Sequence, residues 1–327
     1  MLSAILQKAT GQSLLAYLTP RLFEPLGIRN ATWEVSPQGI HTGGYGLKVK
    51  TRDIAALGQL YLQRGTWNGK RLLSEKWVGL ATSKQISNGD KPESDWSQGY
   101  GFQFWRCRHN AYRGDGAFGQ YCIVMPDQDA VLAITSGLGD MQQVLDLVWR
   151  HLLPAMRPEP LAADPATRAR LADKLASLAL SPVKGERLSP SAAVSGTRFT
   201  FDENEKGLQA LTLTQDGSGV TLALRNVHGE QRVSCGFGQW SAGDVTFERA
   251  LTLPVATANG RQAIAASGAW AAPDLYVAHV YFRETPYRLT MSLHFKDNRL
   301  YLDLAYNVMF GPNKKVSLLG RPTPPLK

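Results

Sequence analysis

Arg113 to Gly137 reads RGDGAFGQYCIVMPDQDAVLAITSG. Two apolar runs, Ala117–Met125 and Ala130–Ser136, flank a Pro126-Asp127-Gln128-Asp129 turn, and together they predict a β-hairpin. Gly114, Gly116 and Gly119 crowd the start of its first strand. Glycine there weakens a strand and lets a ligand or another chain approach the backbone. The hairpin commits this region to antiparallel sheet, and the patterns around it are helical.

Upstream, MLSAILQKATG places Leu2, Ile5, Leu6 and Ala9 on one helical stripe that Gly11 closes, which predicts a core-packing helix. A secretory leader would carry its positive charge first, then a longer apolar core. The opening has no such order, and the compartment stays unassigned. Gln12 to Phe23 reads as a second helix divided by Pro20. Thr51 is placed to cap a helix over 52–63 with Ile54, Leu57, Leu60 and Tyr61 on one face, and Asp53 suits the positive end of its dipole. Ser74 and Glu75 start a short helix, and Tyr100–Cys107 (YGFQFWRC) reads as a strand. Downstream of the hairpin, Asp140 caps a helix whose Val144, Leu145, Val148 and Leu152 share a face, until Pro154 stops it.

Composition then shifts. Residues 156–194 read as a linker, rich in Pro, Ala and Arg, with one helix starting at Asp164-Pro165 and showing Leu171, Leu175 and Leu178. From 195 to 327 nearly every run is strand-like: TRFTF, LQALTLT, GVTLALR, QRVSCGF, DVTFE, QAIAASGAW, LYVAHVYF, YRLTMSLHF and RLYLDLAY. About eight short strands with hairpin-length links predict an antiparallel barrel or sandwich; a barrel leaves no edge, and its interior is expected to be filled by its own side chains. The expected fold class is α+β: helices on an antiparallel sheet in 1–155, then an all-β barrel.

Bulk properties exclude some classes. With 43% hydrophobic and 19% charged residues the chain is globular rather than disordered. The net charge of +9 is spread over both halves with no basic cluster interleaved with aromatics, so no nucleic-acid partner is expected. No stretch is long and apolar enough to span a bilayer as a helix. Cys107, Cys122 and Cys235 lack ligand spacing, Cys107 and Cys122 read as buried free thiols, and the histidines show no metal pattern. No metal or cofactor is expected.

The stretches LSAILQKATGQSLLAYLTPRLFEPLGI, GGYGLKVKTRDIAALGQLYLQRGTWNGKRLLSEKWV, GYGFQFW and the hairpin occur in an order that covers nearly all of 1–155. In that order they resemble the C-terminal half of the serine β-lactamase and penicillin-recognising family, on the class C-like side with esterases and D-aminopeptidases. The C-terminal barrel is similar to the lipocalin-like domains of some members. The resemblance implies an acyl-enzyme hydrolase of an ester, amide or peptide bond, with a small-molecule or peptide substrate, and its members are often exported.

Three motifs carry that chemistry in the family. A Ser-x-x-Lys puts nucleophile and lysine one helical turn apart, so that the amine takes the hydroxyl proton. A Tyr-x-Asn adds an acid/base group, and a Lys- or His-Thr/Ser-Gly strand beside the nucleophile helps to build the oxyanion hole. Here the sole Ser-x-x-Lys is Ser181 to Lys184 in the linker, without an apolar helix to hold it, and no Tyr-x-Asn occurs. The first two motifs are expected upstream of this chain, which reads as a shortened form that should not acylate. His41-Thr42-Gly43 imitates the third motif but precedes the helix that should come before it, so it reads as a decoy or a loop lining the cleft. Tyr45 beside it reads as packing. By order along the chain, the third-motif position falls on Gly114, Asp115 and Gly116, with the Ala117 N–H as the oxyanion donor. No cation stands at Gly114, and Asp115 replaces the hydroxyl residue, which favours a cationic or neutral substrate group over a carboxylate. The alternative is a non-catalytic protein: a degenerate hydrolase or a small-ligand binder. An exposed edge strand and a bare first-helix face are also expected, making 1–155 poorly stable alone.

Overall fold

In the computed structural model, residues 1–188, 194–246 and 261–323 are described. The chain divides into two units, Met1–Ala162 and Ala163–Lys327.

The first unit starts with helix α1, Leu2–Thr10, which Gly11 ends in the left-handed conformation at φ 68°. Its apolar stripe does not pack into a core but leaves the bare first-helix face that is also expected: Leu2 is 76% and Ile5 59% exposed, while Ser3 is buried. The reason is a close approach. Ser3 lies so near Gly43 that a Cβ on the glycine would meet the serine Cβ at 2.7 Å, so the helix turns its small polar face inward. Helix α2, Leu14–Leu18, is capped by Ser13 and runs into a wide π turn, Thr19–Phe23, around Pro20. Helix α3 is Thr51–Leu62. Thr51 is its first residue rather than its cap, because the Asp53 carboxylate reaches back to accept the Lys50 N–H at 2.9 Å. Helix α4, Glu75–Thr82, is capped by Ser74 as its sequence predicts.

The sheet has strands β1 (Trp105–Arg106), β2 (Tyr112–Gly116), β3 (Gln120–Met125) and β4 (Ala130–Ile134), antiparallel and in that order. Two expectations need correction. YGFQFWRC yields only the two-residue β1, because Gln103 takes φ 64° and breaks the run. Ala117 does not open a strand: Gly114 and Gly116 end β2, and Phe118 (φ 67°) and Gly119 (φ 91°) turn the chain before β3 begins at Gln120. The segment is thus a three-stranded meander. Helix α5, Met141–Leu147, is capped by Asp140 and continues as a second π turn, Val148–Leu152. The wider turn shifts the helical phase. Trp149 is therefore buried where Leu152 was expected, and Leu152 is 42% exposed.

Strand alternation divides the core into two layers. Cys122 and Val124 pack with Ile54 and Tyr61 of α3 on one face, and Tyr121, Ile123 and Met125 pack with Val144, Leu145 and Trp149 on the other. The α3 contact is close because Gly58 lacks a side chain. A Cβ there would come to 2.6 Å from Val131 Cγ1 and 2.7 Å from Cys122 Sγ.

The second unit begins with α6, Pro165–Ala176, capped by Asp164, with Leu171 and Leu175 exposed. Among the described residues ten strands follow: β5 Arg198–Phe201, β6 Ala210–Gln215, β7 Gly219–Asn226, β8 Gly229–Gly236, β9 Ser241–Val245, β10 Gln262–Ala272, β11 Leu275–Phe282, β12 Arg288–Lys296, β13 Arg299–Tyr306 and β14 Val316–Pro322. Nine of them close into a barrel in the order β8-β7-β6-β5-β14-β13-β12-β11-β10, joined by a parallel bridge from Gly236 to Ser267, with β9 paired to β10. Strand β14 is the element the sequence reading lacked, and it links β5 to β13. Of the run DVTFE, Phe247 and Glu248 lie outside the described residues. Inward side chains such as Leu211, Leu222, Met291 and Leu302 have no exposed surface, and Trp270, Tyr276 and Phe295 pack ring on ring within the barrel unit.

Candidate active site

The candidate site is built on the end of β2. Strand β1 pairs only with Tyr112 and Arg113, so Gly114, Asp115 and Gly116 have ladder partners on the β3 side alone. Among the described residues, the opposite edge of these three has no strand neighbour. Beyond them Ala117 is exposed at the turn.

Side chains from the next segment hold that turn. Ser136 Oγ donates to the Gly119 carbonyl at 2.7 Å, and Gln120 Nε2 donates to the Ser136 carbonyl at 2.6 Å and to that of Ala117 at 3.2 Å. Gly119 is required here twice over: its φ is positive, and a Cβ would collide with Ser136 Oγ.

Asp115 stands between glycines but is not isolated. Arg113, two residues earlier and hence on the same face of the strand, donates from Nε to Asp115 Oδ2 at 2.9 Å. Burial pushes the Asp115 carboxyl above its ordinary range, and the guanidinium opposes that shift. Arg113 has no exposed surface. Its Nη1 donates to the Asp95 carbonyl at 2.9 Å and to Cys107 Sγ at 3.1 Å, and its guanidinium carbon lies 4.6 Å from the Trp96 ring centre. Its Nη2 has no hydrogen-bond partner among the described residues, and the faces of Trp96 and Trp105 cover the guanidinium instead.

Asp95 anchors the same assembly from below. Its carboxylate accepts from Arg108 N, Nε and Nη2, from Gln142 Nε2 and from Trp149 Nε1, all at 2.8–3.1 Å. Burial alone raises an acid, but these donors together hold Asp95 below the usual carboxylate value. A second contact from Arg108 reaches Asp146 at 2.6 Å. The 94–105 loop is thereby fastened to α5 by Asp95 and to β2 by Arg113.

The other sequence candidates lie elsewhere. His41 accepts the Leu15 N–H on Nδ1 at 3.3 Å and lies near-parallel to Trp33, while Thr42 Oγ1 donates to the Tyr45 carbonyl. That triplet ties the loop to the N-terminal helices. Tyr45 presents its ring to solvent. Ser181 and Lys184 fall on a segment without helix in the barrel unit, both exposed, so no helical face aligns them. All three cysteines are free and buried, and burial pushes Cys107 up to about 11 and Cys122 and Cys235 to about 12.

Sequence reasoning missed Arg113, Asp95 and Ser136 as parts of this site. For Arg113 a signal existed, because Arg-x-Asp along a strand puts both charges on one face. Nothing in the sequence joins Asp95 to Trp149, 54 positions away.

The Beta-lactamase family model matches residues 1–155. No curated relative matches the sequence. Among solved structures, the 6-aminohexanoate-dimer hydrolase from Bacillus anthracis is similar at 23% identity over 48% of this chain and 43% of that one, with a TM-score of 0.39. The octameric penicillin-binding protein homologue from Pyrococcus abyssi is similar at 16% identity over 98% of this chain and 63% of that one, TM-score 0.36. The brain fatty acid-binding protein of Drosophila melanogaster matches 39% of this chain with 99% of its own length, at 13% identity and TM-score 0.29. The chain thus spans less than two thirds of the length of the hydrolase and of the penicillin-binding protein homologue. Residues 1–155, which match the Beta-lactamase family model, stand in one chain with a closed nine-stranded β-barrel.

Proposed function

We propose that residues 1–155 form one wall of a serine acyl-transfer site, which opens an ester, amide or peptide bond through an acyl-enzyme. The observation that carries this reading is the half-paired end of β2, inside a domain of this family. A substrate carbonyl laid along Gly114–Gly116 meets backbone rather than side chain, and the Ala117 N–H at the turn donates to the oxygen as it gains charge. Ser136 and Gln120 act behind it, holding the turn so that the donor needs no rearrangement as charge develops. The attacking hydroxyl and its lysine come from residues outside 1–327: an Oγ–acyl bond forms as the bond to the leaving group breaks, the hydroxyl proton passes to that group, and water then releases the acid.

On this reading the chain Met1–Lys327 alone forms no acyl-enzyme. Exposure of the purified chain to a fluorescent penicillin and to a fluorophosphonate, read by intact mass, is expected to give no adduct. An adduct on any of its serines would show that the nucleophile lies within it.

A second reading, small-ligand binding by the barrel unit, is favoured by one observation. A cavity of about 310 Å³ is lined by Phe199, Trp270 and Phe295 together with Asp274, Lys296, Asp297 and Arg299. Native mass spectrometry of the purified chain tests it, since a retained small molecule is expected only if that cavity is a site.

A further inference from the structure

Asp115 is nine-tenths buried, yet only one of its carboxylate oxygens is engaged. Arg113 Nε takes Oδ2; among the described residues no hydrogen bond reaches Oδ1, and Oδ1 is not one of the buried atoms left without a partner. The residue therefore presents one fixed acceptor at the mouth of the half-paired strand. The same face of the sheet carries Trp105, the cross-strand partner of Arg113, and Tyr100, whose ring centre lies 4.9 Å from that of Trp105. Burial and the charge of Asp115 both push the Tyr100 phenol up, so the field of the carboxylate reaches that ring.

These groups select by charge. Arg113 has no exposed surface, so a group arriving at Oδ1 is closer to the carboxylate than to the guanidinium. Coulomb energy falls with distance, and the nearer negative charge sets the sign of the local field. An incoming carboxylate would bring lone pairs against lone pairs, and Gly114 offers no cation to compensate. Trp105 already attracts one cation, with its ring centre 5.5 Å from the Arg113 guanidinium carbon. Electron-rich aromatic rings beside a fixed carboxylate oxygen are the elements of an ammonium subsite.

We propose that Asp115 is a specificity-determining residue of the site, and that its Oδ1 receives a primary ammonium group of the substrate flanked by Trp105 and Tyr100. Its part in turnover rests on the acyl-transfer reading, but the binding step needs no nucleophile and is measurable on the chain as it stands. Hexylammonium and hexanoate, matched in length and opposite in charge, are titrated against the full chain at constant ionic strength and followed by saturation-transfer NMR. Hexylammonium is expected to bind saturably and hexanoate not to bind. Asp115→Asn should weaken the ammonium about tenfold, the scale of one hydrogen bond to a charged group. Trp105→Leu leaves the Arg113–Asp115 pair in place and should weaken it about threefold. Hexanoate binding as tightly as hexylammonium, or unchanged affinity in Asp115→Asn, overturns the proposal. Should that variant fail to fold, unchanged affinity in Trp105→Leu overturns it equally. Loss of ammonium binding leaves covalent labelling as a separate test of acyl transfer, and a failed labelling leaves the ammonium subsite standing as a binding site.

Discussion

Arg113 Nε and Asp115 Oδ2 lie 2.9 Å apart, with no exposed surface on the arginine and 10% on the aspartate. The pair joins β2 to the 94–105 loop, because the same guanidinium holds the Asp95 carbonyl and lies over Trp96. Removing one partner of a buried pair leaves the other charge uncompensated. Arg113→Ala is expected to destabilise the first unit by about 3–5 kcal/mol. Urea unfolding followed by tryptophan fluorescence measures it, and a change under about 1 kcal/mol would show that the pair is not a structural bolt.

Asp95 gives the acid side of the stability profile. Its folded value lies below the usual one, so its contribution is fully present above the unfolded value of about 3.9 and is lost as pH falls through the folded value. Asp115 has the opposite sign: its value is raised, so its contribution is present at low pH and fades as pH rises through the folded value. Asp95→Asn should therefore lower stability at pH 7 and flatten its decline below about pH 4, while Asp115→Asn should not flatten it. Urea midpoints at pH 7, 4 and 3 separate the two.

The thiols are expected to be inert in the folded chain. Burial holds Cys107 near 11 and Cys122 and Cys235 near 12, so little thiolate exists at neutral pH. Reaction with iodoacetamide should modify none of them until denaturant is added. Rapid labelling of Cys107 or Cys122 in buffer would contradict the close packing of the sheet.

Gly58 sets how closely α3 lies on the sheet. Gly58→Ala would drive a methyl to 2.6 Å from Val131 Cγ1 and 2.7 Å from Cys122 Sγ, so one layer must move. Overpacking of this kind costs about 1–3 kcal/mol, which outweighs the better helix propensity of alanine. A lower thermal midpoint is expected, and an unchanged one would place the helix farther from the strands.

Legibility in the sequence followed the range of the interactions. Local signals carried far: Ser74, Asp140 and Asp164 all cap helices, and alternation along β11 and β12 marks a barrel wall. Decisions made across the chain were not legible. Ser3 rather than Ile5 turns inward because Gly43 comes close, the π turn at Val148–Leu152 exchanges Leu152 for Trp149, and β14 is a strand because β5 waits to pair with it. At the site, the glycine edge was visible in RGDGAFG. The partners that hold it came from Asp95 and Ser136, which no spacing announces.

The central claim, that the β2 edge is one wall of an acyl-transfer site completed by a serine from outside 1–327, is tested most directly by fluorophosphonate labelling of two products. One is Met1–Lys327, and the other is the product of the same gene with any in-frame codons upstream of Met1 included. The account predicts a covalent adduct on the longer product, mapped to a serine outside 1–327, and none on the shorter. An adduct on a serine within 1–327, or none on either product, would contradict it.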